Sequence, residues 1–188
     1  MFVDESIWIR NALEGVLERG MTLLDIGSST LHFRTVAQPY VDRNVFAPLR
    51  ARGVEILHLD ARAEPGVDIV ADVTNLKGVD RTFDAALCTS LLEHVTDRAE
   101  TLGHMKRVVR PGGLLLVTVP QRYPIHPDPI DTGFRPSPME LRDLLGWSDV
   151  LCAEELTIRD PAHYQGKRWP RRWLWPWKVA CVLARKPG

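Results

Sequence analysis

The ten residues MTLLDIGSST (Met21–Thr30) decide how the rest of this 188-residue chain reads. Met21 to Leu24 form a mostly apolar run closed by Asp25 and Gly27. That is the pattern of a parallel strand buried on both faces, not of one that alternates between core and water. At its end Gly27 lets the backbone turn close to a ligand, where a Cβ would collide or demand an unfavourable dihedral. A buried strand stopping in such a turn points to an open α/β sheet, whose ligands lie beyond the carboxyl ends of the strands.

Outward from this stretch the same alternation continues. Ile9, Leu13, Val16 and Leu17 share one helical face, predicting a lead-in helix over residues 5–19, within a lead-in segment 1–20 ended by Gly20. Val41, Val45, Phe46 and Leu49 give a helical pattern between Thr35 and Arg52, delayed or kinked by Pro39 and Pro48. Strands are predicted at Val54–Leu59, ending at Asp60, at Val67–Val70, ending near Asp72, and at Phe83–Cys88. Leu102, Met105, Val108 and Val109 mark an amphipathic helix stopped by Pro111-Gly112-Gly113, and Leu114–Val119 is a fifth strand. Residues 120–136 make a proline-rich loop longer than a connection requires, the kind that carries function. Ser137-Pro138-Met139-Glu140 opens a helix with serine as N-cap, proline at the first helical position and glutamate at the third. Val150–Ile158 and Lys178–Ala184 are the last strands, joined by a segment too short for a normal crossover helix, so an antiparallel pair at the sheet edge is expected. The whole predicts one α/β domain over residues 1–188, a doubly wound Rossmann-like sheet of five parallel strands plus a terminal antiparallel pair.

Composition narrows the function. Lys plus Arg number 24 and Asp plus Glu number 24, so no net field draws the chain to nucleic acid. Cys88, Cys152 and Cys181 sit in apolar runs without metal-like spacing, which argues against a disulfide framework and a zinc site. The N-terminal MFVDESIWIR carries acids where a signal peptide carries bases, and no apolar run approaches the roughly 20 residues of a membrane span. A cytoplasmic protein is expected.

In a doubly wound sheet the ends of strands one to four converge: Asp25 to Ser29, Asp60, Asp72 and Thr89-Ser90. Three carboxylates there make a poor phosphate site, because anion would face anion. They suit a ligand with a ribose for Asp60, an adenine amine for Asp72, and a positive sulfonium. Each Asp alone also reads as an ordinary turn former.

Five motifs in order, LLDIGSST (Leu23–Thr30), HLD (His58–Asp60), DIVADVTNL (Asp68–Leu76), FDAALCTSLLEHV (Phe83–Val95) and RPGGLLLVTVP (Arg110–Pro120), resemble those of class I S-adenosylmethionine (SAM)-dependent methyltransferases. The resemblance implies that Gly27, Ser28 and Ser29 line the methionine part of the cofactor, with Asp25 ordering the turn. It implies Asp60 on the ribose, Asp72 and the Val73 backbone on the adenine, and Thr89-Ser90 as the floor beneath the sulfonium. It departs at Ser29 and Leu31, where the family commonly continues with glycines. The early stretch Leu31–Asp60 also looks like bacterial methyltransferase-like proteins of glycan pathways. A nicotinamide enzyme is the rival, but its Gly-x-Gly-x-x-Gly positions here hold Gly27, Ser29 and His32.

Methyl transfer from a sulfonium is an in-line displacement that needs a base only if the acceptor still carries its proton. Two histidines are candidates: His94 after strand four, and His126 in the loop Tyr123–Phe134, where Asp128 and Asp131 are near enough to orient it. Asp131 is itself a candidate to face the acceptor. His32, His58, His104 and His163 show no partner pattern. A metal site around Glu93 lacks a second carboxylate at convincing spacing, so none is expected.

The insert 165–178 between the last two strands contains KRWPRRWLWPWK (residues 167–178), with Trp169, Trp173, Trp175 and Trp177 among five basic residues. Tryptophans there either fold over the sheet edge, meet an anionic membrane peripherally, or contact a protein or glycan partner. The expected activity is methylation of a small-molecule acceptor, a hydroxyl of a sugar, glycan precursor or other metabolite. The alternative is a methyltransferase-like binding or scaffold protein whose pocket is altered at Ser29.

Overall fold

The computed structural model describes residues 1–126, 130–164 and 174–188. Seven strands form one sheet: β1 Thr22–Ile26, β2 Glu55–Asp60, β3 Ile69–Val70, β4 Phe83–Thr89, β5 Val109–Arg122, β6 Asp149–Thr157 and β7 Lys178–Arg185. Their spatial order is β3-β2-β1-β4-β5-β7-β6. β1 to β5 are mutually parallel, while β7 runs antiparallel to both of its neighbours. The last two strands therefore pair as expected, but only β6 lies at the edge; β7 is inserted beside β5 and is buried along most of its length. The order reverses between β1 and β4, which opens the crevice where such sheets bind ligands.

Side-chain alternation distributes the core to both faces. Leu23, Leu114 and Leu116 join one buried cluster with Ile9 and Leu13 of helix α1 (Val3–Leu13) and with Val45, Phe46 and Leu49. Leu24, Leu115 and Val117 join the other, with Leu102, Met105 and Val108 of the next long helix and Leu141 and Leu145 of the last. A strand covered on both sides cannot alternate polar and apolar residues, which is why the parallel strands read as unbroken apolar runs.

Several boundaries differ from the sequence reading. α1 stops at Leu13, not at residue 19, because Glu14 is extended and Gly15 takes φ +73°; Leu17 is buried all the same. Between β1 and β2 there is no single helix: π-helical turns at Phe33–Ala37 and Asp42–Phe46 alternate with α2 (Pro39–Val41) and α3 (Ala47–Ala51). The two prolines that each open a short helix, Pro39 and Pro48, break the hydrogen-bond ladder into pieces. Helix α4 (Arg98–Val108) begins at Asp97, whose side chain accepts the Glu100 amide at 3.0 Å, and ends before the Pro-Gly-Gly run. That run lies inside β5 at a register shift against β4 instead of stopping the helix. β5 also outruns β4, carrying the chain over the carboxyl edge towards Tyr123 and His126. Helix α5 (Pro138–Leu145) has the expected capping box, with Ser137 Oγ accepting from the Glu140 amide and Glu140 Oε2 from the Ser137 amide.

Candidate functional site

The turn after β1 is tied to the end of β2. The Gly27 and Ser28 amides both donate to the Leu59 carbonyl, at 2.8 and 3.0 Å, and the Ser29 amide donates to Asp60 Oδ2 at 2.9 Å. Gly27 has φ +74°, and a Cβ there would lie 2.9 Å from the Leu91 side chain. Ser29 is also left-handed, at φ +56°, one of two non-glycine residues so placed among those described; the other is Ser90. L-residues enter that region at a cost of about 1–2 kcal/mol, which is why glycine is common at such positions.

Beneath the turn lies a buried polar layer. Arg34, 2% exposed, donates from Nη1 to the Ser28 and Ser29 carbonyls at 2.9 and 2.8 Å and from Nη2 to the Gly66 carbonyl at 2.6 Å. Burial pulls its pKa down, and the neighbouring Asp25 opposes that shift. Asp25, 3% exposed, meets His58 Nδ1 at 2.9 Å, and the His58 ring packs edge-on against Phe46. His58 thus has a partner that its sequence context did not reveal. Arg34 was missed altogether; the available signal was a single guanidinium set among the apolar residues of LHFRTVA (Leu31–Ala37).

Three cavities meet at the carboxyl edge. The largest, about 800 Å³, is lined by Asp25, Gly27, Ser28, Ser29, Asp60, Thr89 and Ser90, so it gathers seven of the nine cofactor residues expected from sequence. The other two, Asp72 and Val73, line a cavity of about 390 Å³ that shares Gly27 and Asp60 with the first. Asp60 stands where the two meet, its Oδ1 also accepting from the Arg62 amide at 3.2 Å. Asp72 Oδ1 accepts from the Thr74 amide and hydroxyl at 2.8 and 2.7 Å, and these bonds hold its pKa down. The third cavity, about 440 Å³, shares Ser90, His94 and His126 with the first and adds Glu93, Tyr123 and Trp177. His94 lines all three.

At this last junction the predicted catalytic residues gather. The rings of His94 and His126 lie 5.2 Å apart, tilted by 64°. His94 Nδ1 is 2.6 Å from the Ile130 carbonyl, which can only accept, so Nδ1 carries the proton. The Asp131 side chain is fully buried and accepts from Arg135 at 2.5 and 3.1 Å and from the Gly133 and His126 amides at 2.9 and 3.1 Å. Arg135 above all, with those two amides, holds its carboxyl well below the usual carboxylate range. Such a carboxylate ties the loop together, with His126 Nε2 3.7 Å from its Oδ2. Asp128 lies outside the described residues.

Glu93 is 1% exposed, and burial pushes its pKa up to about 7. Its Oε2 has no hydrogen-bond partner. Glu93, His94 and His126 each offer a ligand atom within 4.8 Å of the others, a grouping that the sequence expectation of no metal site did not anticipate. His163, likewise read as background, accepts the Val3 amide at 2.9 Å on Nε2 and lines the 440 Å³ cavity.

The tryptophan-rich insert divides. Trp177, 7% exposed, stacks on Tyr164 at 4.6 Å and meets Tyr123 edge-on at 4.8 Å, closing the third cavity. Trp175 is 67% exposed, with the Arg122 guanidinium 5.1 Å from its ring centre. Trp169 and Trp173 lie outside the described residues. Among the described residues no helix is long and apolar enough to cross a membrane.

Residues 24–117, half of the chain, match the family model described as a methyltransferase domain. A demethylmenaquinone methyltransferase of Paenarthrobacter aurescens (strain TC1) is 30% identical over 112 residues, covering 58% of this chain and 43% of that protein. Its counterpart from Renibacterium salmoninarum is 31% identical over 99 residues, covering 52% and 40%. The matched region thus spans less than half the length of these curated relatives. Among solved structures, the [4+2]-cyclase SpnF superposes with a TM-score of 0.64 at 21% identity, covering 98% of this chain and 80% of that one. The 1,6-didemethyltoxoflavin-N1-methyltransferase of Burkholderia thailandensis superposes with a TM-score of 0.61 at 17% identity, covering 99% and 78%. At these identities the structural likeness establishes the fold alone.

Proposed function

This chain belongs to the methyltransferase-domain family, of the class I SAM-dependent kind, and from that premise we propose that it methylates a hydroxyl of a small molecule, a sugar, glycan precursor or other ring-shaped metabolite. One observation carries the reading: the 390, 800 and 440 Å³ cavities adjoin in that order along the carboxyl edge. In this reading adenine sits against Asp72 and Val73, the ribose on Asp60, and the methionine tail on Gly27, Ser28 and Ser29. Thr89 and Ser90 underlie the sulfonium, whose methyl faces the third cavity. The carboxylate of the methionine tail then lies against the Ser29 hydroxyl, with the buried Arg34 cation close by to offset the negative charge of Asp25.

Catalysis comes chiefly from holding acceptor oxygen, methyl carbon and sulfur in line in a pocket shielded from water. The acceptor's proton goes to the imidazole pair His94 and His126. Asp131 positions His126 by accepting its amide and does not titrate near neutrality. Phe2, Tyr123 and Trp177 offer ring faces to the acceptor, which suit the flat face of a sugar and an aromatic ring alike. The curated relatives are demethylmenaquinone methyltransferases, which adds quinone-type rings to the set of acceptors to be tested. Ser29 lines an 800 Å³ space, which supports a cofactor seat over the scaffold alternative, in which the pocket is altered at Ser29 and the Trp-rich segment is the working surface. Exposed Leu174 and Trp175 give the chain a small apolar surface for an anionic membrane, to be tested by liposome flotation at low salt.

The test is incubation with methyl-labelled SAM and a panel of sugar, glycan-lipid and phenolic acceptors. Label transfer with one S-adenosylhomocysteine (SAH) formed per methyl supports the reading. SAM binding without transfer to any acceptor favours the scaffold alternative.

A further inference from the structure

We propose that Glu93, His94 and His126 bind a divalent first-row transition cation between the 800 and 440 Å³ cavities, where it holds and acidifies the acceptor's hydroxyl. The second half of this statement rests on the methyl-transfer reading above; the first half does not.

The donor set is one carboxylate and two imidazoles, all within 4.8 Å of one another, with Glu93 Oε1 3.8 Å from His94 Nε2. A cation about 2.1 Å from each ligand needs donors roughly 3.0–3.4 Å apart, so the side chains close by about 1 Å around it. His94 is already turned for the task. Its Nδ1–H is committed to the Ile130 carbonyl, which leaves Nε2 as the lone-pair nitrogen on the Glu93 side. A ligating histidine whose second nitrogen donates to a backbone carbonyl is the arrangement that fixes tautomer and ring orientation at metal sites. The neighbouring His126 is held through its own amide by Asp131.

The independent sign of a missing ligand is Glu93. Its carboxyl is almost wholly buried, Oε2 has no hydrogen-bond partner, and the residue lines the third cavity. A buried polar atom left without a partner is costly unless something else satisfies it. The charges acting on it leave room for a cation: the buried Glu5 carboxylate opposes Arg135, which Asp131 already pairs, and His126, itself one of the proposed ligands. One oxygen and two imidazole nitrogens suit manganese, iron, cobalt or zinc better than calcium or magnesium. Three protein ligands leave coordination positions open for substrate oxygen.

The step then balances without a protein base. The acceptor O–H coordinates the cation and releases its proton to water. The oxygen forms a bond to the methyl carbon, and the C–S bonding pair stays on sulfur as neutral SAH leaves.

The test is calorimetric titration of EDTA-dialysed protein with Mn²⁺, Co²⁺ and Zn²⁺ at pH 7.5 or above, with SAH titrated into the same samples. One saturable site is expected. Glu93→Gln, of the same size, and His126→Ala should each weaken cation binding by about 10–100-fold, with SAH affinity unchanged in Glu93→Gln, which lies outside the 800 Å³ cavity. No saturable binding of any of the three ions to the native chain overturns the proposal, as does unchanged affinity in both variants. SAH binding without cation binding removes the metal and leaves the cofactor reading standing. Cation binding without SAH binding removes the cofactor reading and leaves the metal site standing. If transfer activity is found, EDTA should abolish it and Mn²⁺ restore it; activity indifferent to EDTA returns the proton to the imidazoles.

Discussion

Two ends of one crevice differ in how they treat buried charge. Around β1 and β2 the buried Asp25 pairs with His58, the buried Arg34 with three carbonyls, and the partly buried Asp60 accepts the Ser29 amide. Past β4 the Glu93 carboxyl is equally buried but half unsatisfied, with its pKa raised to about 7. The first end has its hydrogen bonds made before anything binds. The second is electrostatically incomplete, the condition expected where a ligand or cation supplies the missing partner.

The contrast can be broken first at Arg34. Removing this guanidinium leaves three carbonyls without their donor and takes a positive charge from near Asp25, which keeps His58, so Arg34→Ala should cost about 3–5 kcal/mol in denaturant unfolding, enough to threaten folding. A cost under about 1 kcal/mol would mean that the layer beneath the turn is not a structural unit.

At the other end the sign reverses. Glu93 binds its proton more tightly folded than unfolded, so between about pH 4.5 and 7 the native state holds the extra proton and stability falls as pH rises. The decline through that window should reach about 3 kcal/mol, and Glu93→Gln should abolish it in metal-free protein. A native chain whose stability is flat across the window would show that Glu93 is not the strained group.

Asp60→Asn keeps the shape but removes a charge from the cofactor's ribose, and should weaken SAH binding by about 1.5–3 kcal/mol, roughly 10–100-fold, with the melting temperature of the unliganded chain little changed. The smallest effect belongs to Ser29→Gly. Relief of a left-handed φ offsets the extra freedom of glycine in the unfolded chain, giving a change within about 1 kcal/mol, and SAH affinity should rise or stay level.

The sheet was legible because its signals are local and redundant. Apolar runs at Leu23, Ile56, Ala85 and Leu114 each sit between turn residues, and the Ser137 box fixes its own helix start. What could not be read depended on distant partners. The pairing of Asp25 with His58 crosses 33 residues, and that of Glu5 with Thr118 crosses 113; neither leaves a spacing signature. The Pro-Gly-Gly run was read as a helix stop because proline and glycine usually are one, whereas a register shift accommodates it within β5. The candidate cofactor residues at strand ends were legible from topology and from the family resemblance together, and the structure gathers them along two adjoining cavities. The catalytic loop was not so determined: Asp131 is a plausible base in sequence, and only Arg135 four residues on, reaching back as a two-pronged clamp, turns it into an anchor.

The most direct test of the central claim, that the crevice is a SAM seat, is calorimetry of the native chain with SAM and with SAH, repeated on Asp60→Asn. Saturable binding of both at one site, weakened roughly 10–100-fold by the substitution, is the required result. No heat of binding from either ligand at millimolar concentration, or affinity indifferent to Asp60, would contradict it.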